Sequence, residues 1–420
     1  MTLLFSLVLK SAWNRRLSVG LTLIAIALSV TMLVGVDRLQ HGARTAFSQS
    51  VSGADLVIGA RTGPVQLLLY AIFHIGEASS PISWSSYQAI AARPEVAWAV
   101  PLSLGDSHRG FPVLGTTGAY FSHFRYGASN HLAFSSGAPF KTLFDVVLGA
   151  EIAQRLGYRL GDRITLSHGL SDSGLAGHAD KPFVVVGILA RTGTPVDRTA
   201  HISLEALQAI HLDWQGGAQI PGLSIPPELV RKFSLAPTQV TAALVGLKSR
   251  AAVFRMQRFV NAYADEPLLA VLPGVALAQL WEVVGVVERT LLAVSAMVVL
   301  VGLSGLAAVL LAGLNERRRE LAILRSVGAQ PRDLVLLLAL EGAITTVAGC
   351  LLGMAVLGLA TLALAPLMQA HYGVTLEAMF YSASDLPLLG AVVGTGLLAS
   401  LVPALRAYQL SLADGLTPKL

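Results

Sequence analysis

The sequence predicts an α-helical membrane protein with four transmembrane helices and one large α+β extracytoplasmic domain. Composition is the first observation: 54% of the 420 residues are hydrophobic and only 13% are charged, too apolar a balance for an ordinary soluble chain. The second is length. Leu17–Val36, Leu291–Leu314, Leu334–Leu364 and Leu386–Leu405 are apolar runs whose one charge is Glu341. Each meets the roughly 20 helical residues that cross a hydrocarbon core of about 30 Å with every backbone group satisfied internally. The third is the long stretch between the first two runs, where short Val/Ile/Leu-rich segments alternate with glycine and with helical spacing.

Within residues 1–16, Leu3–Trp13 read LLFSLVLKSAW and lead into a basic cluster, the pattern of a helix lying on the inner leaflet or of an extension of the first span. Residues 17–36 form the first span. Lys10, Arg15 and Arg16 before it resemble a signal-peptide flank, but the apolar run is too long for one, so an uncleaved anchor is expected. Residues 37–287 are the extracytoplasmic domain, with strands at Asp55–Ile58, Asp145–Leu148, Arg163–Leu166 and Phe183–Leu189. Ala150–Leu156 reads as a helix ended by Gly157, and Gly169–Asp180 as a glycine-rich hairpin tip. Residues 288–314 are the second span, 315–333 a cytoplasmic segment, 334–364 the third span, 365–385 a short outer loop, 386–405 the fourth span and 406–420 a cytoplasmic tail.

Orientation follows from cation placement, because lysine and arginine in short loops are retained inside. Arg317, Arg318, Arg319, Arg325 and Arg332 fill the middle loop, Arg406 and Lys419 follow the last span, and residues 365–385 hold neither residue type. Both termini are therefore expected in the cytoplasm and residues 37–287 outside.

Several functions are excluded or disfavoured. The single cysteine, Cys350, cannot build a disulfide framework or a cysteine metal cluster. The net charge of +5 is scattered or placed beside apolar runs, which fits a bilayer surface and not nucleic acid. No H-E-x-x-H, Walker A or G-x-G-x-x-G motif occurs, and Gly169-x-Ser171-x-x-Gly174 is one residue too long for a nucleophile elbow. The chain is expected not to be an enzyme. No two of its ten histidines have the three-to-five-residue spacing of a local zinc site, so no metal site is expected.

Asn315–Val327 places Leu321, Leu324 and Val327 at three-residue spacing beside Glu316, Arg317, Arg318, Arg319 and Glu320, an amphipathic segment that Gly328 and Pro331 end. An ionised Glu341 facing lipid costs several kcal/mol, so it is expected against a partner helix or snorkelling inward. Gly349-x-x-x-Gly353 and Gly390-x-x-x-Gly394 permit close helix approach, either between the third and fourth helices or with a second copy.

From Trp281 onward the chain resembles the FtsX/MacB family of ABC permeases, which includes the lipoprotein-releasing LolC and LolE subunits. The resemblance rests on an uncharged helix, then Glu316 to Ala329 (ERRRELAILRSVGA), then a helix opening with Glu341 and glycines, and covers residues 281–412. Pro403-Ala404-Leu405-Arg406-Ala407 resembles the closing P-A-x-R-A element, while Leu412–Leu416 departs from the usual ending. Gly115–Phe121, Val147–Leu166 and Phe183–Gly193 resemble the MacB-like periplasmic core domain.

The resemblance implies a mechanotransmission (type VII) permease subunit of the inner membrane. A separate cytoplasmic ABC ATPase would dock on Glu316, Arg317, Arg318, Arg319, Glu320, Leu321, Leu324, Arg325, Val327, Gly328 and Ala329. It implies ATP and Mg used by that ATPase with no cofactor on this chain, a second permease copy, a periplasmic or lipoprotein partner, and export, lipoprotein or lipid extraction, or other periplasmic work. The alternative of the same fold is a sensory protein signalling to a kinase or cell-wall hydrolase.

Overall fold

The computed structural model describes residues 16–50, 52–76, 80–127, 129–168, 178, 180–215, 218–220, 225–316, 323, 325–372 and 382–409. The chain divides into two compact units, Met1–Gly42 with Gly285–Leu420, and Ala43–Val284. They are called the helical unit and the sheet unit below. The inner-leaflet segment expected over 1–16 and the tail after 409 fall outside the described residues, apart from Arg16.

Seven helices bear on function: α1 (Arg16–Gln49), α2 (Ala150–Leu156), α3 (Leu204–Ile210), α4 (Val253–Asn261), α5 (Pro273–Glu316), α6 (Pro331–Tyr372) and α7 (Leu386–Gln409). Among the described residues, four stretches are long and apolar enough to cross a membrane, Arg16–Gly42, Val284–Leu314, Pro331–Ala365 and Ala383–Tyr408. The helices outrun the apolar runs that predict them, because an established helix propagates through polar residues at little cost and hydropathy does not mark where it stops. Past the first apolar run, Arg38 forks onto Asp385, with Nε 3.3 Å from Oδ1 and Nη2 on Oδ2.

The interior of the helical unit holds two apolar clusters, of which one is a long seam. Ile26, Val30, Leu33 and Val34 of α1 meet Val299, Leu303, Leu306 and Leu310 of α5 and Cys350, Met354 and Leu357 of α6. The three-, four- and seven-residue spacings put each set on one helix face. Hydroxyls join the helices where small residues bring backbones together: Ser29 donates to the carbonyl of Ala25 at 2.7 Å and lies 3.3 Å from that of Val298, and Thr31 reaches the carbonyl of Gly353 at 2.9 Å. Ala404 and Ala407, from the segment resembling P-A-x-R-A, are buried against Leu314, Leu334 and Leu338.

The sheet unit is built on eleven strands among the described residues. They are β1 (Leu56–Ala60), β2 (Val96–His108), β3 (Phe111–Thr116), β4 (Phe134–Gly137), β5 (Asp145–Leu148), β6 (Arg163–Ile164), β7 (Ser167–His168), β8 (Phe183–Leu189), β9 (Ala200–Ser203), β10 (Ala242–Leu247) and β11 (Leu268–Val271). Their order is β11-β1-β10-β2-β3-β9-β5-β8-β4, with β7 on β2 and β6 on β8. Neighbours are antiparallel except β9 on β3 and β8 on β5, which run parallel.

Both faces of this sheet are covered. Successive residues of a strand point to opposite faces, and Leu56 and Ile58 enter one core while Val57 enters another. Val146 and Leu148 of β5 likewise pack in a third cluster with Ile152 and Ala153 of α2, and Val147 faces away from it. Burial on two faces explains why these strands read as unbroken apolar runs rather than alternations. The strand expected at Asp145–Leu148, that at Phe183–Leu189 and the helix Ala150–Leu156 are found with those bounds, and Gly157 takes the left-handed conformation at φ 73° that ends the helix. Of the strand expected over Arg163–Leu166 only Arg163–Ile164 forms, as β6 on β8, and a second short strand, β7, follows it on a different partner, β2. Of the glycine-rich segment Gly169–Asp180, only His178 and Asp180 are described.

Candidate functional site

The segment between the second and third apolar helices is described in part. Arg317, Arg318, Arg319, Glu320, Leu321 and Leu324 lie outside the described residues, as does the side chain of Glu316. Beyond them, the Val327 N–H donates to the Ile323 carbonyl and that of Gly328 to Arg325, both at 3.1 Å. Gly328, at φ 107°, ends this turn in a backbone region open to glycine, and α6 begins at Pro331. Arg325 and Ala329 are half-buried. Ile323 is 52% exposed and Val327 84%, two bare apolar side chains on a turn that lies outside the apolar spans. Spacing along the chain does not single out Ile323, because the three-residue repeat beside the arginines falls on the leucines.

Glu341 is 2% exposed. It thus avoids lipid by turning into the helical unit, in line with the cost of exposing a carboxylate to hydrocarbon. The two glycine pairs behave differently from each other. A Cβ on Gly349 would lie 2.6 Å from Ile26 Cγ2, and one on Gly353 2.6 Å from the Ala27 carbonyl oxygen and 3.0 Å from Val30 Cβ. That pair therefore packs α6 on the first helix, not on the fourth. Contact between α6 and α7 uses glycines outside either pair: Gly342 against Ser400, and Gly396 against Thr346 Oγ1 at 2.5 Å. A Cβ on Gly390 or on Gly394 would meet nothing within 4 Å.

A direct expectation follows. Gly353→Leu should destabilise the helical unit by about 1–3 kcal/mol, because the obstructing atom at Ala27 is backbone and cannot swing aside. Gly394→Leu should stay within about 0.5 kcal/mol of the parent. Thermal unfolding of the two variants in one detergent compares them, and equal midpoints would contradict the packing described.

The sheet unit holds a group that spacing along the chain conceals. Asp106, His168, His178 and His211 each present one ligand-type atom, and these atoms all lie within 4.8 Å of one another. Register builds the first pair: β7 lies antiparallel on β2 with His168 opposite Asp106. The β2–β3 ladder steps from Leu104↔Leu114 to Asp106↔Val113, so Gly105 is the extra residue of a bulge that sets which way Asp106 points. His211 caps the C-terminus of α3. His178 is held by its N–H to the Leu166 carbonyl at 2.8 Å and by the Lys181 N–H to its own carbonyl at 3.2 Å. Lys181 Nζ reaches both oxygens of Asp213 at 2.9 Å, with both side chains fully buried, which ties Lys181 to the turn after α3.

Charge in the group is set by burial and by neighbours. Burial pushes the Asp106 carboxyl up, but the imidazoles of His168 and His211 beside it outweigh burial and leave the group at about 2, hence ionised. Burial, against the pull of Asp106, takes His178 down to about 4, so its imidazole is neutral at pH 7.

Two family models match the chain. Residues 19–245 match the MacB-like periplasmic core domain, and residues 292–412 the FtsX-like permease C-terminal region. Among solved structures, the periplasmic region of MacB from Actinobacillus actinomycetemcomitans is similar at 10% identity, covering 55% of this chain and 94% of that chain with a TM-score of 0.32. The extracellular domain of the noncanonic ABC-type transporter YknZ from Gram-positive bacteria is similar at 11% identity, covering 51% and 98%, with a TM-score of 0.29. No curated protein sequence matches this chain.

Proposed function

The chain belongs to the FtsX/MacB family of ABC-type permeases, and from that premise we propose that it is a non-catalytic subunit driven by a separate cytoplasmic ATPase. The observation that carries this reading is the turn between the second and third apolar helices. Apolar side chains grouped on a surface mark a contact where single ones do not, and Ile323 and Val327, one turn apart, stand out from a turn flanked by arginines in a segment too short for any fold of its own. In this reading the turn faces the cytoplasm of the inner membrane, in accord with cation retention, and the sheet unit lies in the periplasm.

ATP hydrolysis then moves the turn, and α1 and α5 transmit the motion, since both run beyond their apolar stretches into residues of the sheet unit. The work is done outside: export, extraction of lipoprotein or lipid, or another periplasmic task. Midplane transport through one chain is disfavoured because that mode uses helices broken at the bilayer centre, whereas α5 and α6 run unbroken through their apolar stretches. A second copy completes the assembly, with Gly390 and Gly394 open to close approach by another helix.

The test is reconstitution of the full chain in lipid nanodiscs with its cognate ATPase. Turnover should rise when the chain is present, and Val327→Asp should weaken ATPase association about 30-fold, the effect of removing a contact worth about 2 kcal/mol. Unchanged turnover together with capture of a kinase would replace this reading by the sensory one. Reporter fusions that put residues 323–330 on the same side as the sheet unit would also overturn it, since force from the cytosol would have nowhere to enter.

A further inference from the structure

We propose that Asp106, His168, His178 and His211 form a binding site for a divalent transition-metal cation that favours tetrahedral nitrogen and oxygen ligands, with Zn²⁺ as the fitting ion. The inference concerns the sheet unit alone and does not rest on ATPase coupling.

The spacing of the ligand atoms is the first argument. His168 Nδ1 lies 3.0 Å from Asp106 Oδ1 and 3.2 Å from His211 Nε2, and His211 Nε2 lies 3.4 Å from Asp106 Oδ1. Bonds of about 2.0–2.1 Å to a tetrahedral ion place neighbouring ligand atoms about 3.3 Å apart. The three atoms therefore outline one face of such a tetrahedron, and His178, within 4.8 Å of all of them, supplies the fourth corner after a small inward shift.

The hydrogen bonds point the same way. His211 Nδ1 lies 2.8 Å from the Leu207 carbonyl. A carbonyl only accepts, so Nδ1 carries the hydrogen and the neutral ring offers its Nε2 lone pair to the group, the outer contact that commonly fixes a metal-binding histidine. That lone pair lies 3.4 Å from Asp106 Oδ1, and electron pairs converging at such distances need a proton or a cation between them. A divalent ion supplies more positive charge than one proton and bonds several of these atoms at once.

His178 is the decisive residue. It is fully buried, and neither ring nitrogen has a hydrogen-bond partner among the described residues; Asp106 Oδ2 is likewise buried without one. Burying unpaired polar atoms is costly, and coordination of an ion satisfies what the protein leaves open. A wholly apolar explanation for His178 does not account for the lysine–aspartate clamp at residues 181 and 213 that holds it in place. The side chains of His168 and His211 are 35% and 26% exposed while that of Asp106 is fully buried, which gives an ion an entry from solvent and a closed floor. Imidazole and carboxylate without thiolate select borderline ions over Cu(I), and the three nitrogens disfavour Mg²⁺ and Ca²⁺.

Trp214 provides the readout. Its ring centroid is 4.4 Å from that of His178 and 5.7 Å from that of His168. Full-length protein, stripped with a chelator and held in detergent, is titrated with Zn²⁺ by calorimetry and with Co²⁺ by visible absorption and tryptophan fluorescence. Expected are one Zn²⁺ per chain, a tetrahedral Co²⁺ spectrum displaced by Zn²⁺, and quenching that Trp214→Phe removes. His178→Ala and His211→Ala should each weaken Zn²⁺ binding more than about 100-fold, since even outer-shell losses cost 10- to 100-fold. Should either variant fail to fold, the isosteric Asp106→Asn decides, with weakening of at least about tenfold expected by the same comparison. Absence of Zn²⁺ binding, or binding that survives these substitutions unchanged, overturns the proposal.

Discussion

Acidification from pH 6.5 to 4.5 should destabilise the sheet unit by roughly 5 kcal/mol through two buried histidines. His74 is taken down to about 3 by burial and, secondarily, by the nearby His201, and His201 to about 4 by burial, against a small opposing effect of the Val147 carbonyl. The hydroxyl of Thr199 donates to the Pro195 carbonyl at 2.9 Å, so at 2.8 Å from His74 Nδ1 it accepts, and His74 is neutral with its hydrogen on Nδ1. His201 Nδ1 faces the Val147 carbonyl at 3.3 Å, and its ring packs against those of Tyr120 and Phe121.

The sign follows from proton counting. Unfolded, each imidazole takes up a proton as the pH falls through 6.5; folded, each resists until about 3 or 4. The stability these groups contribute is complete above 6.5 and is lost as the pH falls toward the folded values, at about 1.4 kcal/mol per pH unit for each histidine. Hydrogen exchange in β10, or the unfolding midpoint of the full chain against pH, measures the slope. His201→Phe, which keeps a ring among Tyr120 and Phe121, should lower it by the share of one histidine, about 1.4 kcal/mol per pH unit. A flat profile across this window would mean that these rings are not buried as described.

Lys181→Met should cost the sheet unit about 3–5 kcal/mol, because it strands the Asp213 carboxylate in the interior. Both members of this pair are fully buried, and the Asp213 carboxyl, pushed up by burial, is pulled below its ordinary range mainly by the hydrogen bond from Lys181. Asp213 also accepts the Ile225 N–H at 3.3 Å. In the double variant Lys181→Met/Asp213→Asn the charge is gone while an oxygen remains for Ile225, so most of the loss should be recovered. Denaturant midpoints of parent, single and double variants form the cycle. A single variant as stable as the parent would show that the ion pair is dispensable.

Much of the architecture is legible along the chain. Apolar length marks the helices, and glycine or proline marks where α2 and the turn before α6 stop, because both signals act within a few residues. Strands β5 and β8 are readable for the same reason: burial on two faces makes each a continuous apolar run.

The candidate metal ligands are illegible in the sequence. Asp106 and His168 are 62 residues apart, and His168 and His211 are 43 apart, far outside the window in which a local zinc motif shows itself. The partner of a glycine is hidden in the same way. Gly349 and Gly353 announce close packing, yet only the assembled bundle shows that they meet Ile26, Ala27 and Val30 while Gly390 and Gly394 meet nothing among the described residues.

The sequence by itself determined that the chain is a membrane protein, its four apolar helices, its family and the local limits of several elements, since hydropathy and backbone propensity are properties of neighbouring residues. Tertiary structure alone decided which polar side chains meet. That choice rests on strand register and on the bulge at Gly105, where a slip of one residue would turn Asp106 to the opposite face of the sheet.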